Sequence, residues 1–533
     1  MNKQTAAASY DQIPYPSLSY SQSHPDRLAT VARLLGMSPP PVDRCRVLEL
    51  GCASGGNLIP MAYGLPESEF VGLDISARQI AEGQAAVTAL DLRNIALRQM
   101  DILDADGDLG QFDYIIAHGV FSWVPRPVQD KLLEICKRNL APKGVAYVSY
   151  NTYPGWHMLG TMRDMMLYHT RDLEDPQQRA AQARGLLGFL AESVSAKSSA
   201  YGSFLNMYAK FLQGELEGSR PTDDSFLLHD ELEAVNEPIY FYQFAERAAE
   251  HGLQYLGEAE FCTMSDSNFP HEVSKALRQM AKSVVDYEQY LDFLRNRTLR
   301  QTLLCHDDVT LERRLSLARL RSLYVASSAR AVSPDPDLHS VNVEKFRAAD
   351  GAILSTDHPV TKVAMLYLAE IWPRAVSFES LLSTARSRLG LEGTAEQDDA
   401  QALATNLLTA YSYSKKLIEL HVHAPHMALE VSERPVASPL ARFQAQSNGQ
   451  VTNLRHERVR VDEFDRYLLS RLDVNHDRSA LVKSLMAGPV TEGFLIVQQD
   501  DEPIEDSAEI EKVLATELEK RLRWLARAAL LIG

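Results

Sequence analysis

Four short stretches carry residue types able to hold a nucleoside. Residues 46–60, RVLELGCASGGNLIP, run from an apolar stretch into a glycine-rich turn, Gly51 to Asn57. Asp74 closes a second apolar stretch 23 residues after Gly51, Asp101 and Ile102 close a third, and His118 and Gly119 close a fourth. In open parallel sheets, ligands sit beyond the carboxyl ends of the strands, and an acidic side chain at the second strand end accepts hydrogen bonds from both ribose hydroxyls. NAD and S-adenosylmethionine (SAM) are both held in this way.

Three features separate the two. The turn reads G-x-A-x-x-G, with Ala53 where the dinucleotide motif has its middle glycine. That glycine lets backbone approach a pyrophosphate, which SAM lacks. No lysine follows the glycines, which excludes a P-loop. Asp101 stands where it meets the exocyclic amine of an adenine, with Ile75 and Ile102 flanking the ring. Taken singly, the turn is a tight strand–helix connection and either aspartate is an N-cap. Their joint spacing points to SAM, with S-adenosylhomocysteine as product.

The elements that position these residues alternate. Strand-like runs at 46–51, 69–76, 95–102, 112–119 and 144–151 are apolar nearly throughout and are separated by helical spacing. This predicts an α/β fold, a doubly wound and mostly parallel sheet. Residues 157–235 read as a helical insertion, and 239–261 as one more helix and a late strand of the same sheet. Residues 263–332 read as helical and charged, and a hairpin turns at Asp350 and Gly351. Three helical patterns and a strand over 356–425 read as a winged-helix-like module, and a charged helix lies near 505–531. The predicted division is a SAM-binding core with an N-terminal lid (1–156), a helical insertion (157–235), and a return to the core with a regulatory-type segment (236–305). A middle domain (306–430) and a C-terminal domain (431–533) complete it.

Composition bounds the function. The chain has 533 residues, 45% hydrophobic, and a formal net charge of −17. An acidic field disfavours nucleic acid and suits a basic or neutral substrate. No apolar run spans a bilayer and the N-terminus has no secretory h-region, which predicts a cytoplasmic protein with no membrane insertion. Five scattered cysteines without a C-x-x-C pair read as free buried thiols.

The motifs VLELGCASGGNL, FVGLDISARQI, MDI, FDYIIAHGVFSWVP and LAPKGVAYVSYNTYPGW resemble the successive motifs of class I SAM-dependent methyltransferases. More narrowly, HGVFSWVP, YNTYPGWHMLGTMRDMMLYH and NRTLRQTLLCH resemble a bacterial family with a methyltransferase regulatory domain after the catalytic core. Some members are lysine methyltransferases of outer-membrane proteins. The resemblance covers about the first 305 residues. It implies a Rossmann-like core with additional mainly α-helical and winged-helix-like domains. It also implies that Glu49 and the backbone of Gly51, Ala53 and Gly55 surround the methionine part of SAM, with Asn57 beside them. Asp74 would hold the ribose, assisted by Gln79. Asp101 and Ile102 would meet adenine, and the His118 main-chain carbonyl would approach the amino group.

A lysine acceptor must lose its proton before attack, and a desolvating aromatic channel lowers its pKa. Tyr150, Asn151, Tyr153 and Trp156 could line such a channel, Asn151 orienting the nitrogen; the aromatic residues equally suit core packing, as do Phe121 and Trp123. Tyr10, Tyr15, Tyr20 and His24 read either as a lid over the cofactor or as packing for the first helix. His421, His423 and His426 read as surface or packing histidines, with no metal expected. Arg295, Arg297, Arg300, Arg313 and Arg314 read as solvated helix faces or inter-domain contacts. Three functions remain open: methylation of a protein lysine, methylation of a small molecule with the extra domains serving dimerisation and closure, and a SAM-binding regulator.

Overall fold

The computed structural model describes residues 15–105, 109–197, 199–212, 224–391, 393, 395–447, 449–491, 498–499, 502–504 and 506–532. Its centre is a seven-stranded sheet. The strands are β1 (Arg46–Leu50), β2 (Glu69–Asp74), β3 (Ile95–Gln99), β4 (Phe112–Ala117), β5 (Leu140–Asn151), β6 (Leu253–Glu258) and β7 (Leu299–His306). They lie in the order β3-β2-β1-β4-β5-β7-β6. Neighbours among β1 to β5 pair parallel, and β7 runs antiparallel between β5 and β6. Val47, Leu48, Leu50 and Ile115 are 0% exposed, because helices cover both faces. The order reverses between β1 and β4, which makes that crevice the place for a ligand.

The helix Pro25–Leu34 is buried over most of its surface rather than along one stripe. It packs against β5 and β6 on one side and the strand Glu419–His421 on the other. His24 caps it, its ring accepting from Asp26 N–H at 3.1 Å. Helices Gly155–Thr170, Pro176–Ser193 and Ala200–Leu212 form a separate cluster around Met162, Leu187 and Leu205. The hairpin at Asp350 and Gly351 joins Glu344–Arg347 to Ile353–Thr356. Helices Pro359–Ile371, Phe378–Arg388 and Glu396–Tyr413 follow, then the strand Glu419–His421. The last core gathers Leu468 and Leu481 with Leu518 and Leu522 of the helix Ser507–Arg527. No helix among the described residues is long and apolar enough to cross a membrane.

Two sequence expectations are corrected. Residues 263–332 are not helical throughout, since β7 lies within them. The arginines are not solvated, Arg314 apart. Arg300 is fully buried, pairs with Glu258 (2.9 Å), Asp292 (2.8 Å) and Glu288 (3.1 Å), and lies over the Phe241 ring at 3.8 Å. Arg297 pairs with Asp292 at 3.3 Å, Arg295 donates to the carbonyls of Thr263 and Ser265, and Arg313 to those of Leu256 and Tyr255. Each sits where strand and helix ends leave carbonyls or carboxylates without water. The cysteines are free; Cys45, Cys52, Cys136 and Cys305 are buried and Cys262 half-buried.

Candidate active site

A cavity of about 310 Å³ opens at the strand ends of the crevice. Glu49, Gly51, Ala53, Asn57, Asp74, Ile75, Gln79, Asp101, Ile102 and His118 all line it. The turn after β1 gets its shape from positive φ at Gly51 (74°), Ala53 (50°) and Gly55 (76°). A Cβ on Gly51 would stand 2.5 Å from Val120 Cγ2. Gly55 does not line the cavity: it turns the chain onto the helix Leu58–Gly64, facing Ile59 and Leu97.

Asp74 accepts from Ala53 N–H at 2.8 Å and from Ser76 N–H at 2.9 Å, so the carboxylate ties the turn to the second strand end. Asp101 accepts from Leu103 N–H at 2.9 Å. Both carboxylates therefore stand at the cavity oriented by backbone donors, Asp101 as the N-cap of a short helical turn and Asp74 at the strand end, where Ser76 rather than Asp74 caps the following helix. Glu49 is 3% exposed, and its Oε1 accepts from Asn57 Nδ2 at 2.7 Å. Among the described residues its Oε2 has no hydrogen-bond partner, nor has Gln79 Oε1. Burial pushes the Glu49 carboxyl up to about 8, against the pull of Asn57 and with the charge of Asp74 adding to the rise. Two orphaned buried oxygens on residues that line one cavity fit a ligand that brings donors, as SAM does in its α-ammonium and its ribose hydroxyls.

Residues 15–18 and Tyr20 line this cavity. Gly56 N–H donates to Ser17 Oγ at 2.7 Å, and a Cβ on Gly56 would stand 2.3 Å from the Ser17 carbonyl oxygen. Tyr15 and Tyr20 line the cavity; Tyr20 lies 3.7 Å, centroid to centroid, from the His118 ring. Tyr10 lies outside the described residues. His24 belongs to the first helix and a second cavity. His118 Nδ1 meets Tyr147 Oη at 2.8 Å, and burial pushes the imidazole down to about 3, so it is neutral at physiological pH.

The outer wall differs from the sequence reading. Tyr150 is a core residue, 1% exposed, stacked on Phe244 at 4.1 Å with its hydroxyl 3.0 Å from Thr302 Oγ1. Side chains alternate along β5, and Tyr150 points to the face opposite Tyr147. Asn151 is buried and donates to Asn236 Oδ1 at 3.0 Å. Tyr153 stacks on His157 at 4.1 Å, and Trp156 lies edge-on to Trp123. None of these four lines the cavity. Trp123 does, with His229, Asp230 and Glu233 from the insertion. A π-helical turn, Leu227–Glu231, presents His229 and Asp230; Glu233 Oε2 lies 3.6 Å from His229 Nδ1, and Tyr15 meets the His229 ring edge-on. The acidic run HDELE was the available sequence signal, but it has no spacing that ties it to the strand ends.

His421 is buried and pairs with Asp26 at 2.7 Å, so it packs the first helix; His423 is half-buried and His426 exposed.

Comparison with known proteins agrees with this geometry. Family models match a methyltransferase domain at 47–144, a predicted methyltransferase regulatory domain at 223–306 and a PKMT C-terminal winged helix domain at 433–530. The winged-helix match lies downstream of the segment read that way from the sequence. The uncharacterized protein RP789 of Rickettsia prowazekii is 34% identical, covering 98% of this chain and 93% of its own. The structure of PKMT2 from Rickettsia typhi in complex with AdoHcy superposes with a TM-score of 0.87 at 30% identity, covering 98% of this chain and 100% of that one. The chain is a SAM-dependent methyltransferase and belongs to the multidomain methyltransferase family that includes PKMT2 from Rickettsia typhi.

Proposed function

We propose that the enzyme methylates the ε-amine of lysine side chains on a protein, lysines of an outer-membrane protein being the acceptor class that the sequence resemblance implies. The observation that carries this reading is the outer wall of the cavity. Tyr15 and Trp123 are aromatic, and Asp230 and Glu233 are acidic. Aromatic faces and carboxylates together suit an alkylammonium group. The similarity to PKMT2 supports the same acceptor.

Bound in the crevice, SAM supplies a methyl group activated by a sulfonium. Glu49 would accept from the methionine end, Asp74 from the ribose hydroxyls with Gln79 assisting, and Asp101 from the adenine amine, with Ile75 and Ile102 flanking the ring. Asp230 and Glu233 draw in the acceptor as its ammonium, and the Glu233–His229 pair takes the proton. Tyr15, Tyr20 and Trp123 would keep water from the freed amine at the place where the sulfonium would supply the methyl group. No group forms a covalent intermediate, so the protein contributes position and electrostatics.

Radiolabelled SAM offered to a protein extract and to a small-molecule extract tests the reading. Label on protein, recovered as Nε-methyl-lysine after hydrolysis, is expected. Label confined to low-mass products would overturn it.

A further inference from the structure

The hairpin Gln450–Thr452 and Arg458–Arg460 of the C-terminal region ends in the turn 453–457. This turn is fastened from several sides. Asn453 Oδ1 accepts from the N–H groups of Arg455 (2.9 Å) and Glu457 (2.8 Å), and Leu454 N–H donates to the Ala529 carbonyl at 2.9 Å. The Arg455 guanidinium lies over Trp372 and donates to the Pro373 carbonyl and to Glu419. Within this rigid turn His456 takes a φ of 60°, which β-unbranched polar residues and glycine tolerate but a helix or strand never uses. Nothing in the hairpin itself uses the ring. The conformation delivers His456 Nε2 to 2.9 Å from Asn57 Oδ1, a contact between residues 399 apart in sequence.

Asn57 passes the constraint on. Its Oδ1 also accepts from the backbone N–H of Tyr20 at 2.9 Å, which identifies the oxygen end of the amide. His456 must then donate, and Asn57 Nδ2 must face Glu49 Oε1 and Ser23 Oγ. With Oε1 engaged, Glu49, which lines the cavity, is left with Oε2 unpartnered among the described residues. The hairpin also reaches the N-terminal segment: Arg458 lies 5.8 Å over the Tyr20 ring, and Thr452 Oγ1 stands 3.3 Å from Ser19 Oγ.

We propose that the turn 453–457 of the C-terminal region braces the cofactor site from behind its lining, with His456 a positioning residue that holds Asn57, and through it the Glu49 carboxyl, in the orientation that receives the methionine end of SAM. The proposal rests on the assignment of Glu49 to that end of the cofactor. It makes the C-terminal region part of cofactor recognition rather than an appendage to it.

Calorimetry with two probes on the full-length protein tests it. S-adenosylhomocysteine carries the amino-acid moiety; 5′-methylthioadenosine keeps the nucleoside and lacks it. His456→Phe keeps a ring and removes the donor, and His456→Gln keeps a donor. His456→Phe is expected to bind S-adenosylhomocysteine about five- to tenfold more weakly, the scale of one hydrogen bond. It should bind methylthioadenosine as the wild type does, and His456→Gln should recover most of the lost affinity. In a Glu49→Gln background His456→Phe should cost little more. Should the phenylalanine crowd the turn, His456→Ala carries the same comparison. Wild-type affinity for S-adenosylhomocysteine in the donor-less variants, or equal losses for both probes, would overturn the proposal. A Glu49→Gln variant with unchanged affinity would instead overturn the assignment of Glu49.

Discussion

Ala53 occupies a left-handed position, φ 50°, between two glycines that also turn left-handed. An L-residue pays about 1–2 kcal/mol for that conformation. Ala53→Gly is therefore expected to raise stability by up to about 1 kcal/mol once the entropy of the added glycine is subtracted. A urea midpoint no higher than that of the wild type would show that the turn relaxes around the methyl group. The argument that Ala53 disfavours a pyrophosphate was legible in the sequence; its backbone conformation was not, because one residue type does not fix φ. Asp74 has a double task at the same turn, holding Ala53 N–H and facing the cavity. Asp74→Ala should weaken S-adenosylhomocysteine binding by about 2–3 kcal/mol, as for bonds to a charged group, and unchanged affinity would refute the ribose assignment. Glu49 adds a pH signature. Its carboxyl is pushed up to about 8 in the free enzyme, so it is largely protonated at pH 7. A cationic ammonium favours the ionised form and lowers that value on binding. Binding should thus release protons at pH 7, read from calorimetry in buffers of different ionisation heat. Glu49→Gln should abolish the release.

Among the strands of the central sheet, β7 was the one that sequence pattern concealed. Leu299–His306 carries Arg300 and Gln301 in a segment flanked by charged helices, and a fully buried arginine reads as surface until its partners are known. Glu258 on β6 and Glu288 and Asp292 on the helix Val284–Arg295 supply those partners. Strands β1 to β5 were legible because burial on both faces leaves a nearly continuous apolar run. The parity of β5 was not: which face Tyr150 takes depends on the register with β7, where Tyr150 stands opposite Arg300. Arg300→Met would leave three carboxylates in a space without water. It should cost about 3–5 kcal/mol, seen as a lower urea midpoint. A loss below about 1 kcal/mol would mean that water or protonation compensates.

Across the whole molecule, the cofactor crevice is held by chain ends that no local pattern connects. Glu419, on a strand of the middle region, accepts from Arg27 of the first helix and from Arg455 of the C-terminal turn. Beside it Asp26 accepts from the N–H groups of Val422 and His423 and pairs with His421. Arg27, Glu419 and Arg455 are thus a single junction between three parts of the chain, and the sequence shows only that each residue exists. Burial raises both carboxyls, but the surrounding cations outweigh it and hold Asp26 and Glu419 well below their ordinary values. Carboxyls so depressed contribute stability that is complete above their unfolded-state pKa and is lost as the pH falls through the lowered folded values. The carboxyls therefore oppose opening in mild acid, whereas His421, held below its ordinary value by burial and the Arg27 charge, takes up a proton only at a cost and weakens the junction as the pH falls below the ordinary histidine range. Glu419→Gln removes the shared charge at every pH and leaves Arg455, whose side chain is 3% exposed, facing a neutral amide. It should cost about 3 kcal/mol and raise hydrogen exchange at residues 453–457 and around Asn57 together. Faster exchange in the turn with none near Asn57 would show that the C-terminal region and the cofactor crevice are held independently.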